Sequence, residues 1–231
     1  MKLSKWNAVA GATCMVAGSA GQLAQYLVSP IGQGQSAEQQ VADAAADLPA
    51  MNVAIWLDLL ILLLIPASIY AAAIAGGTRS WLASTGTALV VVGSLGAGYL
   101  LGADVLVSAA ASSPDRPAAT GLVESYSGSG PLAVVVGLFV IGHTVGFVLL
   151  GVALIRSHAV PAWAGISLVI FTFAELVGEA SGIKVVAATG MALLVVGYGA
   201  CAVALLRAAR LNSAAHLTVP ASRAPITANG V

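Results

Sequence analysis

Six runs of about twenty apolar residues follow one another along this 231-residue chain, separated by polar stretches. A helix of twenty residues is about 30 Å long, which matches the hydrocarbon core of a bilayer. The chain also lacks the charges that keep a soluble surface wet. Hydrophobic residues make up 59% and charged residues 8%, against about 25% charged in ordinary globular domains. The sequence therefore predicts an all-α, polytopic transmembrane helix bundle of about six spans. These fall at about 6–28, 52–75, 81–104, 131–155, 160–180 and 185–206. Residues 1–207 form one transmembrane domain in this reading, and 208–231 a polar, disordered cytoplasmic tail.

Charge decides the direction of threading. Lys2, Lys5, Arg79, Arg156, Arg207, Arg210 and Arg223 fall on one side when the spans alternate, and only Arg116 and Lys184 fall on the other. Glu38, Asp43, Asp47, Asp115 and Glu124 all lie opposite the basic set. By the positive-inside rule both termini are cytoplasmic and the protein sits in the inner (plasma) membrane. The start resembles a secretory signal, with Lys2 and Lys5 ahead of an apolar stretch and small residues near Ala20. That run continues past any cleavage point, so it is read as a retained span.

The zero net charge hides this segregation. No basic patch with interleaved aromatics is present, which sets nucleic-acid binding aside. The richness in Ala, Gly and Val suggests a GC-rich bacterial gene. Cys14 and Cys201 are too few for a disulfide framework or a zinc site. They read as small packing residues in the inner halves of the first and last spans, able to touch if those spans are neighbours.

Between spans, Ser36 and Gln39 have the spacing of a capping box and predict a short helix ending near Leu48. The stretch 112–130 is rich in Ser, Gly and Pro and shows no clear periodicity. Pro66 predicts a kink in the second span. The third apolar run extends to Ala111, longer than a bilayer requires, so it must tilt, break near Asp104 or project.

Polar residues inside the spans carry the functional reading. Asp58, Asp104, His143, Glu175 and Glu179 all lie at or beyond the midplane on the outer side, with Gln22 and Gln25 near them in depth. A central Asp costs about 2.5–3.5 kcal/mol even on the lenient insertion scale, so these groups should face one another or water. Glu175 and Glu179 are four apart and share a helix face, which Thr172 extends. Gly142 and Gly146 flank His143 and allow a second backbone to approach closely. The arrangement expected is a cavity open to the outside, with His143 at its floor and carboxylates on its walls. A plainer account exists for several of them. Asp58 and Asp104 fit helix ends hydrated by headgroups, Glu179 fits a rim ion pair with Lys184, and the two glutamines fit helix–helix hydrogen bonds.

Several chemistries lack their signatures. One histidine in a span excludes bis-histidine haem and three-histidine zinc sites. There is no Cys-x-x-Cys, no Walker A motif, no serine at the centre of the fourth span for a rhomboid-type protease, and no Gly-x-Gly-Asp around Asp104. The stretch Gly142-His143-Thr144 through Leu149-Leu150-Gly151, then Arg156, Pro161, Ala162 and Trp163, resembles uncharacterised multi-pass bacterial proteins of domain-of-unknown-function type. The resemblance covers the middle two spans and implies a six- or seven-helix membrane protein without a transferable catalytic residue. The reading that follows is binding or transport of a small solute, proton or cation, with no cofactor. His143 and Glu175 are the titrating pair, and Asp58, Asp104 and Glu179 are further ligands. The alternative is a non-catalytic component that assembles with a partner membrane protein, or with itself, through Gly-rich helix faces. An intramembrane enzyme ranks third.

Overall fold

A computed structural model describes residues 4–32 and 34–217. Lys2 and Arg223 of the basic set lie outside the described residues, as does the last part of the tail. The described residues are helical, with no strand among them. In chain order the helices are α1 (Lys5–Val28), α2 (Ala37–Ala46), α3 (Leu48–Asp58), α4 (Leu64–Ile74), α5 (Trp81–Ala111), α6 (Arg116–Ser127), α7 (Gly130–Ser157), α8 (Ala162–Ser181) and α9 (Lys184–Leu217).

Five segments are long and apolar enough to cross a membrane: Leu48–Ile74, Trp81–Ala111, Gly130–Ser157, Ala162–Ser181 and Lys184–Leu211. This is the architecture of a multi-pass membrane protein. Helix α1 is 24 residues long, about 36 Å, but its Ala, Gly, Ser and Gln content keeps it off that list. It nevertheless packs along α9, α3 and α4. The outward faces of the bundle are apolar, with Leu27, Leu95, Val134, Ile141, Phe173 and Val185 all exposed. Trp6, Trp81 and Trp163 are also exposed and stand within the first two residues of α1, α5 and α8, all at the basic end. Tryptophans gather in this way at a membrane–water boundary.

The local signals account for most helix starts. Ser36 and Gln39 form both halves of the capping box, with Gln39 N–H donating to Ser36 Oγ at 3.3 Å and Ser36 N–H to Gln39 Oε1 at 3.2 Å. Asp47 caps α3 and Asp115 caps α6, each ahead of a proline in the first turn. The stretch 112–130 is not an irregular loop, because Arg116–Ser127 is a helix. Of the courses open to the third run, it does not break near Asp104 but stays helical for 31 residues, about 46 Å. Helix α9 runs through Leu217, so the first residues of the 208–231 stretch are helical rather than disordered.

The long α5 accounts for both of the first two findings. Its last turns exceed the length of a hydrocarbon core and have packing partners of their own. Val107, Ala110 and Ala111 pack with Val41, Ala44, Met51 and Val123, a small second core under α2 and α6. Tyr126 on α6 stacks on Tyr99 at 5.5 Å and donates its hydroxyl proton to the Tyr99 carbonyl at 3.0 Å.

Within the membrane the helices close a ring: α1 packs on α9, α9 on α8, α8 on α7, α7 on α5, and α5 on α3 and α4, which return to α1. Glycine sets the close crossing of α5 and α7. A β-carbon at Gly142 would lie 2.7 Å from the Leu89 carbonyl oxygen, and one at Gly146 2.7 Å from the Val90 nitrogen. Helices α5 and α7 therefore touch backbone to backbone.

The second span is broken, and the break shapes the interior. Pro66 has no N–H and its ring collides with the carbonyl four residues earlier, Leu62, so an α-helical ladder cannot continue through it. Residues Leu59–Leu63 adopt a 3₁₀ turn instead. On the basic side of this break α4 packs against α1, α5, α7 and α9 and fills the centre of the ring. On the acidic side α3 packs against α1, α2 and α5 but brings no backbone against α7, α8 or α9. The centre is filled in one half of the bundle and unfilled by helix in the other.

Candidate functional site

The polar residues predicted from sequence lie in that second half. Helix rise places His143 about 20 Å from Arg156 and Glu175 about 18 Å from Trp163. Glu179 and Gln22 are about 24 Å from the basic end by the same measure, and Asp104 is about 34 Å from Trp81.

His143 and Glu175 meet. Nε2 of His143 is 3.2 Å from Oε2 of Glu175, linking α7 to α8. This is an ion-pair distance without the alignment of a hydrogen bond, so neither ring nitrogen has a hydrogen-bond partner. The imidazole is 6% exposed. It sits among Phe139, Phe147 and Phe171, with ring centroids 5.1, 4.7 and 5.4 Å away. Below it Phe147 and the fully buried Tyr198 pack edge to face. The imidazole thus has an aromatic floor and one polar wall, and the polar wall is a carboxylate.

The position of His143 follows from the glycine crossing. A β-carbon at Gly93 of α5 would come 2.8 Å from the backbone nitrogen of His143. Helix α5 therefore lies directly against the backbone there and leaves the imidazole to the α8 side. On α8, Gly190 of α9 is equally close to the backbone nitrogen of Glu175, at 2.9 Å for an added β-carbon. Both members of the pair are held by close-packed backbones behind them.

Glu179, one turn further out, faces the hydroxyl of Tyr26 on α1, and Glu175 lies in the same neighbourhood. The rim pair with Lys184 does not form; Lys184 Nζ reaches the Ser29 carbonyl at 3.5 Å. Thr172 is buried on the α8 face but turns its hydroxyl back to the Val169 carbonyl.

Asp58 and Asp104 form a second group. Asp58 is the last residue of α3, and its carboxyl faces that of Asp104 on α5 and the amide of Gln22 on α1. Gln22 is 8% exposed and its Nε2 makes no aligned hydrogen bond. Gln22 and Tyr26 are one turn apart on α1, so one face of that helix borders both groups.

The five sequence candidates are therefore sorted into two neighbouring clusters. One holds His143, Glu175 and Glu179, the other Asp58 and Asp104. Sequence reasoning missed Tyr26 and the phenylalanine floor. The spacing held a signal for both, because Phe139, His143 and Phe147 are four apart along α7, as Gln22 and Tyr26 are along α1. Among the described residues no three His, Cys, Asp or Glu side chains converge as metal ligands. Cys14 and Cys201 are free, on the neighbouring helices α1 and α9. No family model, curated protein or solved structure matches this chain.

Proposed function

We propose that this is a six-span protein of the bacterial inner membrane, with both termini cytoplasmic, that binds and moves a proton or small cation through an outward-facing polar cavity. The observation that carries the reading is the 3.2 Å approach of His143 to Glu175 at the inner foot of a row of carboxylates. A buried imidazole against a carboxylate is the kind of intramembrane pair that proton and cation pathways use. Glu175, Glu179 and the Tyr26 hydroxyl continue from it towards the outer surface in steps of about one helical turn. Four carboxylates in one half of a bundle carry too much like charge to persist without protons or cations.

Helix α1 serves as the sixth span in this reading. The gathering of Lys5 and Arg210 in one groove, and of Arg207 beside Pro161 and Trp163 in another, supports a basic cytoplasmic end. The likeness of residues 142–163 to multi-pass bacterial proteins is in keeping with this. Assembly through glycine faces is less well supported. Gly86, Gly93, Gly142 and Gly146 are spent on the crossing of α5 and α7, while Gly98, Gly137 and Gly199 meet nothing within 4 Å.

The test is proton movement into liposomes that hold the purified protein and an entrapped pH-sensitive dye. Wild type should carry protons along an imposed gradient, alone or with a cation present. Glu175→Gln and His143→Gln should insert at normal abundance and lose that movement. Equal rates for wild type and both variants would sink the reading. Orientation is tested separately with single cysteines. One in the 38–47 loop should react with an impermeant reagent on intact cells, and one beside Arg156 should not.

A further inference from the structure

The basic end of the bundle holds a groove between the start of α1 and the later turns of α9. Lys5, Val9, Leu206, Ala209 and Arg210 line it, and its volume is about 260 Å³. Helix α1 starts at this end and α9 finishes at it, so each offers the same pair in depth. A cation stands at the rim and an apolar side chain one turn further in. Lys5 and Val9 are four apart on α1, Leu206 and Arg210 four apart on α9, and four residues are about 6 Å of rise. Lys5, Val9 and Arg210 are exposed, Leu206 is half-buried, and Ala209 is buried.

Two cations from different helices face this one space, and no carboxylate is placed to offset them. No Asp or Glu occurs in 1–37, 59–103, 125–174 or 180–231, so the acidic side chains lie in the other half of the bundle or beyond it. Neither Lys5 nor Arg210 makes an ion pair among the described residues. Trp6, beside Lys5, is exposed, and indoles of this kind sit at headgroup level. Long basic side chains lay their stems on apolar surface and hold their charged heads at the water boundary. A pair of such heads above two apolar side chains matches a phosphate above the start of an acyl chain.

We propose that this groove binds an anionic phospholipid of the leaflet at the basic end. The phosphate lies between Lys5 and Arg210, and the first part of an acyl chain lies on Val9 and Leu206. The guanidinium offers paired N–H donors to phosphate oxygens, and the ammonium adds a point charge. Selectivity follows from charge. A zwitterionic headgroup brings an ammonium of its own into a space that already holds two cations, whereas a glycerol headgroup does not. The wider groove lined by Pro161, Trp163 and Arg207 holds one cation and lacks this pairing. The bound lipid bridges α1 to α9, which matters most for α1, the long helix less apolar than the five spans. The proposal rests on the membrane architecture and not on the His143–Glu175 reading.

The experiment uses the full chain purified in an uncharged maltoside detergent. Its unfolding temperature is followed against rising dioleoyl phosphatidylglycerol, dioleoyl phosphatidylcholine or inorganic phosphate. Phosphatidylglycerol should raise it saturably, and the other two should leave it unchanged. The half-saturating mole fraction should rise about fivefold in Lys5→Gln and in Arg210→Gln, since each loses one cation. Both side chains are exposed, so neither exchange disturbs packing. Arg156→Gln removes a cation of the same end from outside the groove and should respond as wild type. Equal stabilisation by phosphatidylcholine would overturn the proposal. So would the same shift from inorganic phosphate alone, which would assign the groove to a free anion. An undiminished response in both groove variants, or an equal loss in Arg156→Gln, would trace the effect to surface charge in general and overturn it too.

Discussion

The two halves of this bundle differ in what occupies the middle of the ring. Towards the basic end, α4 fills it, and the core is made of Ala8, Met15, Leu64, Ala71, Leu154 and Leu205, all fully buried. Towards the acidic end, α3 stays to one side, and His143, Glu175, Glu179 and Tyr26 form one group there and Asp58, Asp104 and Gln22 another. One proline separates the two. Lipid is as apolar as leucine, so the filled half is held by close packing rather than by escape from water. The carboxylates and the imidazole of the described spans meet in the second half.

The largest effect expected from this contrast is at the glycine crossing. Gly146→Leu drives a side chain into backbone atoms of α5 and should cost about 3 kcal/mol, enough to lose monodisperse protein on size exclusion. Gly98→Leu lies on the same long α5 but meets nothing and should change stability by about 0.5 kcal/mol or less. Equal damage from the two would mean that the α5–α7 contact is not a tight one.

Pro66→Ala tests the cause of the break. It restores an N–H and lets an α-helix replace the 3₁₀ turn. Five residues at about 1.5 Å of rise in place of about 2.0 Å shorten the span by roughly 2–3 Å. Spin labels on α3 and α4 should report that shortening by electron resonance; an unchanged distance would place the cause in tertiary packing.

Smaller effects belong to the extramembrane core. Tyr126→Phe removes the hydrogen bond to the Tyr99 carbonyl and should cost about 1 kcal/mol by thermal unfolding. Burial, and then the neighbouring Tyr99, push the Tyr126 hydroxyl above its ordinary value. The folded protein therefore favours the neutral phenol. That contribution is full below about pH 10, the unfolded value, and is lost as pH rises through the higher folded value. Tyr126→Phe should flatten this alkaline loss. Ser36→Ala breaks the capping box of α2 and should cost about 1 kcal/mol or less, read as faster amide exchange in 37–40.

Much of this was legible from residues alone, for identifiable reasons. The capping box needs only Ser36 and Gln39 at the right spacing, because its bonds close within one turn. The long apolar segments are legible because the bilayer sets their length. The meeting of His143 with Glu175 could be anticipated from depth, since few partners lie at one level of a bundle. Helix α6 was missed because its twelve residues hold few large apolar side chains: it is ordered by Tyr99 and Val107 on α5, which are distant in sequence.

The all-helical class, the runs long enough to cross a membrane, the sorting of charge and the place of each polar residue along its run were readable from residues alone. These follow from local composition, helical rise and the thickness of a hydrocarbon layer. Which polar residues share a neighbourhood was settled by packing. Depth says nothing about direction around the ring, and direction depends on where glycines let backbones touch and where Pro66 turns α3 aside. That is why Asp58 faces Asp104 and Gln22 while Glu179 faces Tyr26, and why five candidates became two clusters rather than one.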